Sequence, residues 1–299
     1  MRTPKVSVVM PVYNGERFLR ESLDSIFAQT FREFEVICVD DGSTDNSAAV
    51  LEPYGQRIRV VRQQNAGQSA ARNVGVTLAT GQYVAFLDQD DLWYPPKLMS
   101  QVAVLDRDPH VVLAHCNFDR IDETGRMLQE SAGVVERASA MASPMGQLIG
   151  EALIFPSAMM IRKEGYERIG GFHRELQGFE DFDLIARLKQ EGTFVMLEET
   201  GMAYRLHGDG FTRTGGLHVI RSRETFLRRM QQLYEGHPDK QMIVHRMLGD
   251  CYSDWGAHEL RKGNKQEARR KFLKSLRSNP TKFRTYSRLL RAILSGLDS

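Results

Sequence analysis

The sequence predicts an α/β protein, a mostly parallel sheet flanked by helices, followed by an all-α C-terminal extension. Three observations predict it. Strand and helix signals alternate through the first hundred residues, the strand segments are continuously apolar, and the pattern is helical throughout after about residue 216. Such alternation builds βαβ units, and a strand buried on both faces reads as an unbroken apolar run.

The elements follow in order. "KVSVVMPVY" is a β-branched strand closed by Pro11, and "GERFLRESLDSIFAQT" carries Phe18, Leu19, Leu23, Ile26 and Phe27 at helical spacing. "FEVICVDDGS" is a second strand, and "STDNSAAVLEPY" opens a helix with Ser43 or Asp45 as its cap. "RIRVVRQ" is a third strand, "GQSAARNVGVTLA" a helix and "QYVAFLD" a fourth strand. "HVVLAHCNFDRID" reads as a further strand and "RASAMASPMGQLIGE" as a mobile loop. "DFDLIARLKQEG" is a helix that buries Leu184, Ile185 and Leu188 and stops at Gly192.

A chain of 299 residues, 41% hydrophobic and 26% charged, fits a soluble globular protein with one large domain and a smaller appendage. The boundary is expected near 215, giving 1–215 and 216–299. No apolar run approaches the roughly 18 residues of a spanning helix. The apolar start is shorter than a signal peptide core of about 7 to 15 residues, so a cytoplasmic location is expected. Cys38, Cys116 and Cys251 show no ligand spacing and read as reduced thiols. The net charge of +2 conceals an asymmetry: residues 257–291 carry +10 and residues 1–256 carry −7. The two parts are expected to meet different partners.

The chemistry gathers at the strand ends. Asn14-Gly15, Asp40-Asp41 and Asp88 to Asp91 each follow a strand, and in an open α/β sheet such ends share one edge where ligands bind. An Asp-x-Asp there suits a hard divalent cation, which takes one or two carboxylates together with substrate phosphates; alone it would equally serve as a solvated turn or helix cap. An acid after the second strand can accept from a base or ribose, and Arg72 beside helix N-termini suits a diphosphate. Neither GxGxxG nor GxxxxGK[ST] occurs, so no dinucleotide fingerprint or P-loop explains the cluster.

In sequence order, "VSVVMPVYNGERFLRESLDSIFAQTF", "FEVICVDDGSTDNS", "NAGQSAARNVG", "GQYVAFLDQDDLWYPPKL", "GGFHRELQGFEDFDLIARL" and "YRLHGDGFT" together resemble glycosyltransferase family 2, over roughly residues 4–210. The resemblance implies a GT-A fold, Rossmann-like, and transfer of a sugar from a nucleotide diphospho-sugar, UDP-linked, to an acceptor hydroxyl with inversion. It implies that Pro11, Tyr13 and Asp41 contact the nucleoside and that Arg72 lies near the base or diphosphate. Asp88 and Asp90 form the DxD motif, with Asp90 the direct ligand of Mn²⁺ or Mg²⁺, Asp88 nearer the ribose and sugar, and His207 completing the metal site. Asp91 is expected to cap the following helix. Glu180 and Asp181 form the catalytic acidic pair, with Asp181 as base; both also suit a helix N-terminus. Asp209 and Thr212 are expected to close over the diphosphate. Trp93 could stack on a sugar or pack in the core. The QxxRW motif of polymerising members is absent, which implies single-sugar addition.

In the basic tail Trp255, Ala257, Leu260, Gly263, Ala268, Phe272, Leu276 and Pro280 resemble the positions of one tetratricopeptide-like hairpin, a unit that must dock on neighbours. Its charge reads as a solvated face or as peripheral contact with anionic lipid at the inner face of the membrane; no nucleic-acid motif is present. The expected protein is a metal-dependent hexosyltransferase of bacterial surface-polysaccharide synthesis, acting on a glycan, lipid-linked or protein acceptor. The alternative is a catalytically silent nucleotide-sugar-binding scaffold that recruits partners through its tail.

Overall fold

The computed structural model describes residues 3–208 and 216–294; Asp209 and Thr212 lie outside the described residues. The chain divides into two compact units. The first holds Met1–Ala140, Glu151–Arg174 and Glu180–Gly210, and the second Met141–Gly150, Glu175–Phe179 and Phe211–Ser299.

The described part of the first unit contains one nine-stranded sheet. Its strands are β1 (Val6–Val12), β2 (Phe34–Asp40), β3 (Arg59–Arg62), β4 (Tyr83–Phe86), β5 (Leu92–Trp93), β6 (Val111–Asp122), β7 (Met127–Gln129), β8 (Met159–Arg162) and β9 (Thr193–Leu206). The order is β3-β2-β1-β4-β8-β6-β9-β5, with β7 against β6. The first four strands pair in parallel as the alternating signals predict, whereas β8 runs antiparallel to β4 and β6. Every residue of β1 is buried, since strands flank it on both edges and helices cover it.

Between the strands run α1 (Leu19–Phe27), α2 (Ser47–Leu51), α3 (Gln68–Leu78), α4 (Lys97–Arg107), α5 (Ala132–Ala142), α6 (Pro144–Ile149), α7 (Lys163–Arg168) and α8 (Glu180–Leu188). Helix α3 lies close on β1 because Ala70, Ala71 and Gly75 present small side chains; a Cβ on Gly75 would stand 2.3 Å from Val9 Cγ1. The expected cap Asp45 accepts the Ser47 amide at 2.9 Å just ahead of α2. The stretch 137–151, expected as a loop, is helical instead. Alanine and methionine favour helix, Ser143 accepts the Gly146 amide at 3.1 Å, Pro144 opens α6, and Gly150 ends it in the left-handed region.

The second unit holds α6 with α9 (Leu217–Leu233), α10 (Pro238–Arg261), α11 (Lys265–Ser278) and α12 (Phe283–Leu294). Gly249, Ser253 and Gly256 form a small-residue groove on α10. A Cβ on Gly256 would meet the Phe272 ring at 2.6 Å, Ser275 Oγ donates to the Gly249 carbonyl at 2.6 Å, and Thr285 Oγ1 donates to Ser253 Oγ at 3.0 Å. Close backbone approach at these positions seats α11 and α12 on α10. The three cysteines are buried and free. Among the described residues no helix is long and apolar enough to cross a membrane.

Candidate active site

The C-terminal ends of β1, β2 and β4 bring the acidic turns to one edge. Register fixes this: Val12 stands opposite Asp40, and Val9 opposite Phe86, two residues before Asp88. Pro11 is buried inside β1, while Tyr13 just beyond is 46% exposed. Its backbone is held on both sides by Gln89, whose Oε1 accepts the Tyr13 amide at 2.8 Å and whose Nε2 donates to the Tyr13 carbonyl at 2.9 Å. The middle residue of the Asp-x-Asp therefore ties the first loop to the fourth.

Asp41 is buried and its carboxylate accepts from Gln63 Nε2 at 2.6 Å, from the Ala66 amide at 2.9 Å and from the Gly67 amide at 2.8 Å. It shapes the loop that launches α3. Gly67, at φ +87°, makes the turn that only glycine adopts cheaply. Asp40 accepts the Ser43 amide at 2.8 Å and faces Arg62 at 3.5 Å.

One turn into α3, Arg72 projects into the centre of the acidic cluster with only 1% of its surface exposed. Its Nη2 donates to Asp88 Oδ1 at 2.6 Å, and its Nη1 stands 3.7 Å from Asp181 Oδ1. Its guanidinium lies 5.2 Å from the Phe172 ring centroid. Asn73 grips Phe172 from both sides, donating to its carbonyl at 2.8 Å and accepting its amide at 3.0 Å. Gln68, four residues before Arg72 and so on the same face, donates to Glu180 Oε1. The first residues of α8 thereby meet the middle of the sheet edge.

Burial pushes the Asp181 carboxyl up to about 8, with Glu180 and Asp88 adding repulsion and Arg72 opposing them. Arg72 Nη1, Asp181 Oδ1 and Glu180 Oε2 have no hydrogen-bond partner among the described residues. Buried polar atoms are normally satisfied, so three such atoms converging mark a place where polar chemistry is done. Asp183, the next acid on α8, is structural by contrast, paired with Arg187 at 2.6 Å.

The three carboxylates of the fourth loop divide. Asp88 turns to Arg72. Asp90 turns to His207, whose Nε2 lies 2.9 Å from Asp90 Oδ2. Asp91 points inward, accepting from Ser157 Oγ at 2.6 Å and from the Arg205 amide at 3.1 Å. Burial first, then Asp90 and Asp88, holds the Asp91 carboxyl well above the ordinary range. The expected helix cap is corrected: a short strand, β5, intervenes before α4, so Asp91 has no helix N-terminus to serve. Ser157 also accepts the Asp88 amide at 3.0 Å. Trp93 packs in the core, 2% exposed, donating its indole N–H to the Ser157 carbonyl at 2.7 Å, with the Lys97 ammonium 4.0 Å from its ring.

Arg205 is the largest omission from the sequence reading. From the end of β9 its buried guanidinium donates to the Asp90 carbonyl at 2.9 Å and to Glu21 at 2.7 Å, and it stacks 4.6 Å over Phe18. Phe18 in turn packs 4.9 Å from His207. An alternating strand sends Arg205 and His207 to the same side, so one strand end both anchors the acidic loop and delivers the imidazole.

For a divalent cation the donor set fits in part. Asp90 and His207 supply one carboxylate oxygen and one imidazole nitrogen side by side, which suffices where substrate phosphates complete the shell. Asp88 is committed to Arg72, and among the described residues no group of three His, Cys, Asp or Glu side chains could enclose a metal.

The glycosyl transferase family 2 model matches residues 7–170. An uncharacterized glycosyltransferase of Rickettsia prowazekii is 29% identical over 219 residues, covering 71% of this chain and 67% of that protein. YibD, an uncharacterized glycosyltransferase of Escherichia coli, is 29% identical over 259 residues, 81% of this chain and 74% of its own. Among solved structures, S. aureus TarS 1-349 in complex with UDP-GlcNAc aligns with a TM-score of 0.65 over 95% of this chain and 91% of that one. At 20% identity that likeness is one of fold.

Proposed function

This chain belongs to glycosyltransferase family 2, and from that premise we propose that it moves a sugar from a UDP-linked donor to an acceptor hydroxyl with inversion at the anomeric carbon. The observation that carries the reading is the convergence of buried Arg72 with Asp88 and Asp181 at the carboxyl edge of the parallel strands. The UDP and UDP-GlcNAc complexes of TarS, which share the fold, support the choice of donor.

In this reading the nucleoside lies against Pro11, Tyr13 and Asp41. Asp41 does double duty, since it also holds the 63–67 loop. Asp88 faces the ribose and sugar, and Arg72, freed in part from Asp88, turns to the diphosphate. Asp181 accepts the acceptor proton as the hydroxyl oxygen bonds to C1; the C1–O bond to phosphate breaks, and its electron pair leaves with the nucleoside diphosphate. A carboxyl lifted to about 8 suits this role, because a base works best with a pKa near the operating pH. Glu180, held by Gln68, places Asp181 and adds to its basicity. Asp90 and His207 would hold a divalent cation, Mn²⁺ or Mg²⁺, which supplies Lewis-acid stabilisation of the departing diphosphate.

We further assign the chain to bacterial surface-glycan synthesis and its α10–α11 pair to a tetratricopeptide-like unit. Buried Ala268 and Phe272, and Gly263 at φ +82° closing the first helix, support the latter. The test is a binding and turnover screen of UDP, GDP, CDP and dTDP sugars with and without Mn²⁺ or Mg²⁺, on the wild type, Asp90→Ala and Asp181→Asn. Metal-dependent binding of one UDP-sugar, lost in Asp90→Ala and kept in Asp181→Asn, is expected. A folded chain that binds no nucleotide sugar, alone or with acceptor extracts, would replace the enzyme by the silent scaffold.

A further inference from the structure

The last described helix of the second unit, α12, carries an exposed apolar row. Phe283 is 82% exposed, Leu290 56% and Leu294 51%, with Tyr286 and Ile293 beside them. At 100° per residue these five side chains fall within about 100° of arc. Thr285 and Ala292, on the opposite side, are buried against the rest of the unit. The orientation is fixed at both ends: Thr285 Oγ1 bonds Ser253, and Arg269 donates to the Ala292 and Ile293 carbonyls at 3.0 and 3.2 Å. The row therefore faces outward on a docked helix.

Charge identifies what would meet it. The helix contains no acidic residue, Arg291 and Arg284 are exposed on one flank, about 60° and 80° beyond the edge of the row, and residues 257–291 carry +10. A second copy would set like charge against like, whereas an anionic lipid surface offers opposite charge and an apolar interior together. Apolar and aromatic side chains along one face with arginines on its flank is the layout of a helix lying in the membrane interface. We propose that α12 docks this protein on anionic lipid, with Phe283, Leu290 and Leu294 inserted among the acyl chains and Arg284 and Arg291 at the headgroups. The assignment does not rest on the reading of the active site, and a chain inactive in sugar transfer would still show it.

The experiment is co-sedimentation of the full chain with vesicles of phosphatidylcholine alone or mixed with phosphatidylglycerol. Binding to the mixed vesicles, weakened by added salt, and little binding to neutral ones is expected. Each arginine near an anionic surface is worth about fivefold in partitioning, so Arg284→Gln with Arg291→Gln should lower it about 30-fold. Phe283→Ser with Leu290→Ser should lower it at least about tenfold. Both pairs are exposed, so unchanged circular dichroism and melting temperature certify folding. Equal binding by wild type and both variants, or no binding by folded wild type, overturns the proposal. So does a mass measurement showing that the Phe283→Ser, Leu290→Ser pair dissolves a dimer or a complex with an acidic protein while lipid binding is unchanged.

Discussion

Replacing Arg72 by methionine removes the one charge set between Asp88 and Asp181 while keeping a stem of similar length against Phe172. Charges about 4 Å apart at an effective dielectric of about 20 interact by about 4 kcal/mol. Removing one member of a buried pair costs about 3–5 kcal/mol, because the survivor stays desolvated and unpaired. The side chains of Asp88 and Asp181 are 28% and 29% exposed, so water reaches both and the lower end applies. Arg72→Met should therefore lower unfolding free energy by about 3 kcal/mol, read as a drop in urea midpoint at unchanged slope. Asp88→Asn in the Arg72→Met background should return part of that loss, because at neutral pH Asp88 is the stranded carboxylate, Asp181 with its raised pKa being largely protonated. Arg72 also opposes the rise of the Asp181 pKa, so the variant's rate should need a higher pH. A loss below about 0.5 kcal/mol, the scale of an ordinary surface change, would refute the account. An Asp88→Asn effect of the same sign and size with and without Arg72 would do so too.

Further outcomes follow from the same geometry. The acceptor kcat/KM of the wild type should rise with pH through about 8, since only ionised Asp181 accepts the proton, and Asp181→Asn should lose about 10² to 10⁴-fold of kcat. The stability sign is the reverse. A carboxyl raised above its unfolded value contributes stability at low pH that is lost as pH rises through about 8, so Asp181→Asn should overtake the wild type in urea melts on the alkaline side. Lys97 is buried beneath Trp93 and held down to about 8 by burial. The unfolded chain then binds the extra proton up to its ordinary value of 10.5, so wild-type stability should climb between these pH values, and Lys97→Met should flatten that climb. Gly75→Ala should cost about 1–3 kcal/mol, because its Cβ would press on Val9 at 2.3 Å in a strand with no room to yield; an unchanged melting temperature would show that α3 can lift off β1.

Much of the fold was legible because strand and helix periods are local properties. The four parallel strands, the acidic turns after β2 and β4 and the start of α8 at Glu180 follow from runs of a few residues. What escaped depends on contacts remote in sequence. Ser157 reaches Asp91 across 66 residues and Arg205 reaches Glu21 across 184, and no periodicity announces such partners. Gln68 and Asn73 stand inside the quoted "NAGQSAARNVG", yet only the packing of α3 shows them gripping Glu180 and Phe172. The stretch 137–151 departs from the expected loop for a different reason: Ser, Ala and Met look irregular by pattern, while two of the three favour helix by propensity.

The same remote contacts settle how three carboxylates within four positions coexist at the end of β4. Two arginines hold them, Arg72 donating to the side chain of Asp88, and Arg205 donating from its guanidinium to the Asp90 carbonyl and from its backbone amide to the Asp91 carboxylate. Ser157 joins the ends of the loop, accepting from the Asp88 amide while donating to the Asp91 carboxylate. Asp90 is thus left with its oxygen toward His207, facing outward from a loop whose other charges are spoken for. Identical residues acquire different chemistry through their neighbours: Asp91 becomes a structural group with a raised pKa, Asp88 half of an ion pair, and Asp90 the carboxylate that a ligand can recruit. Substituting Ser157 by alanine should therefore disturb donor binding without replacing any residue that contacts the donor, since it would release the Asp88 amide and the Asp91 carboxylate together. A Ser157→Ala variant that binds UDP-sugar like the wild type would mean that the arginines alone hold the loop.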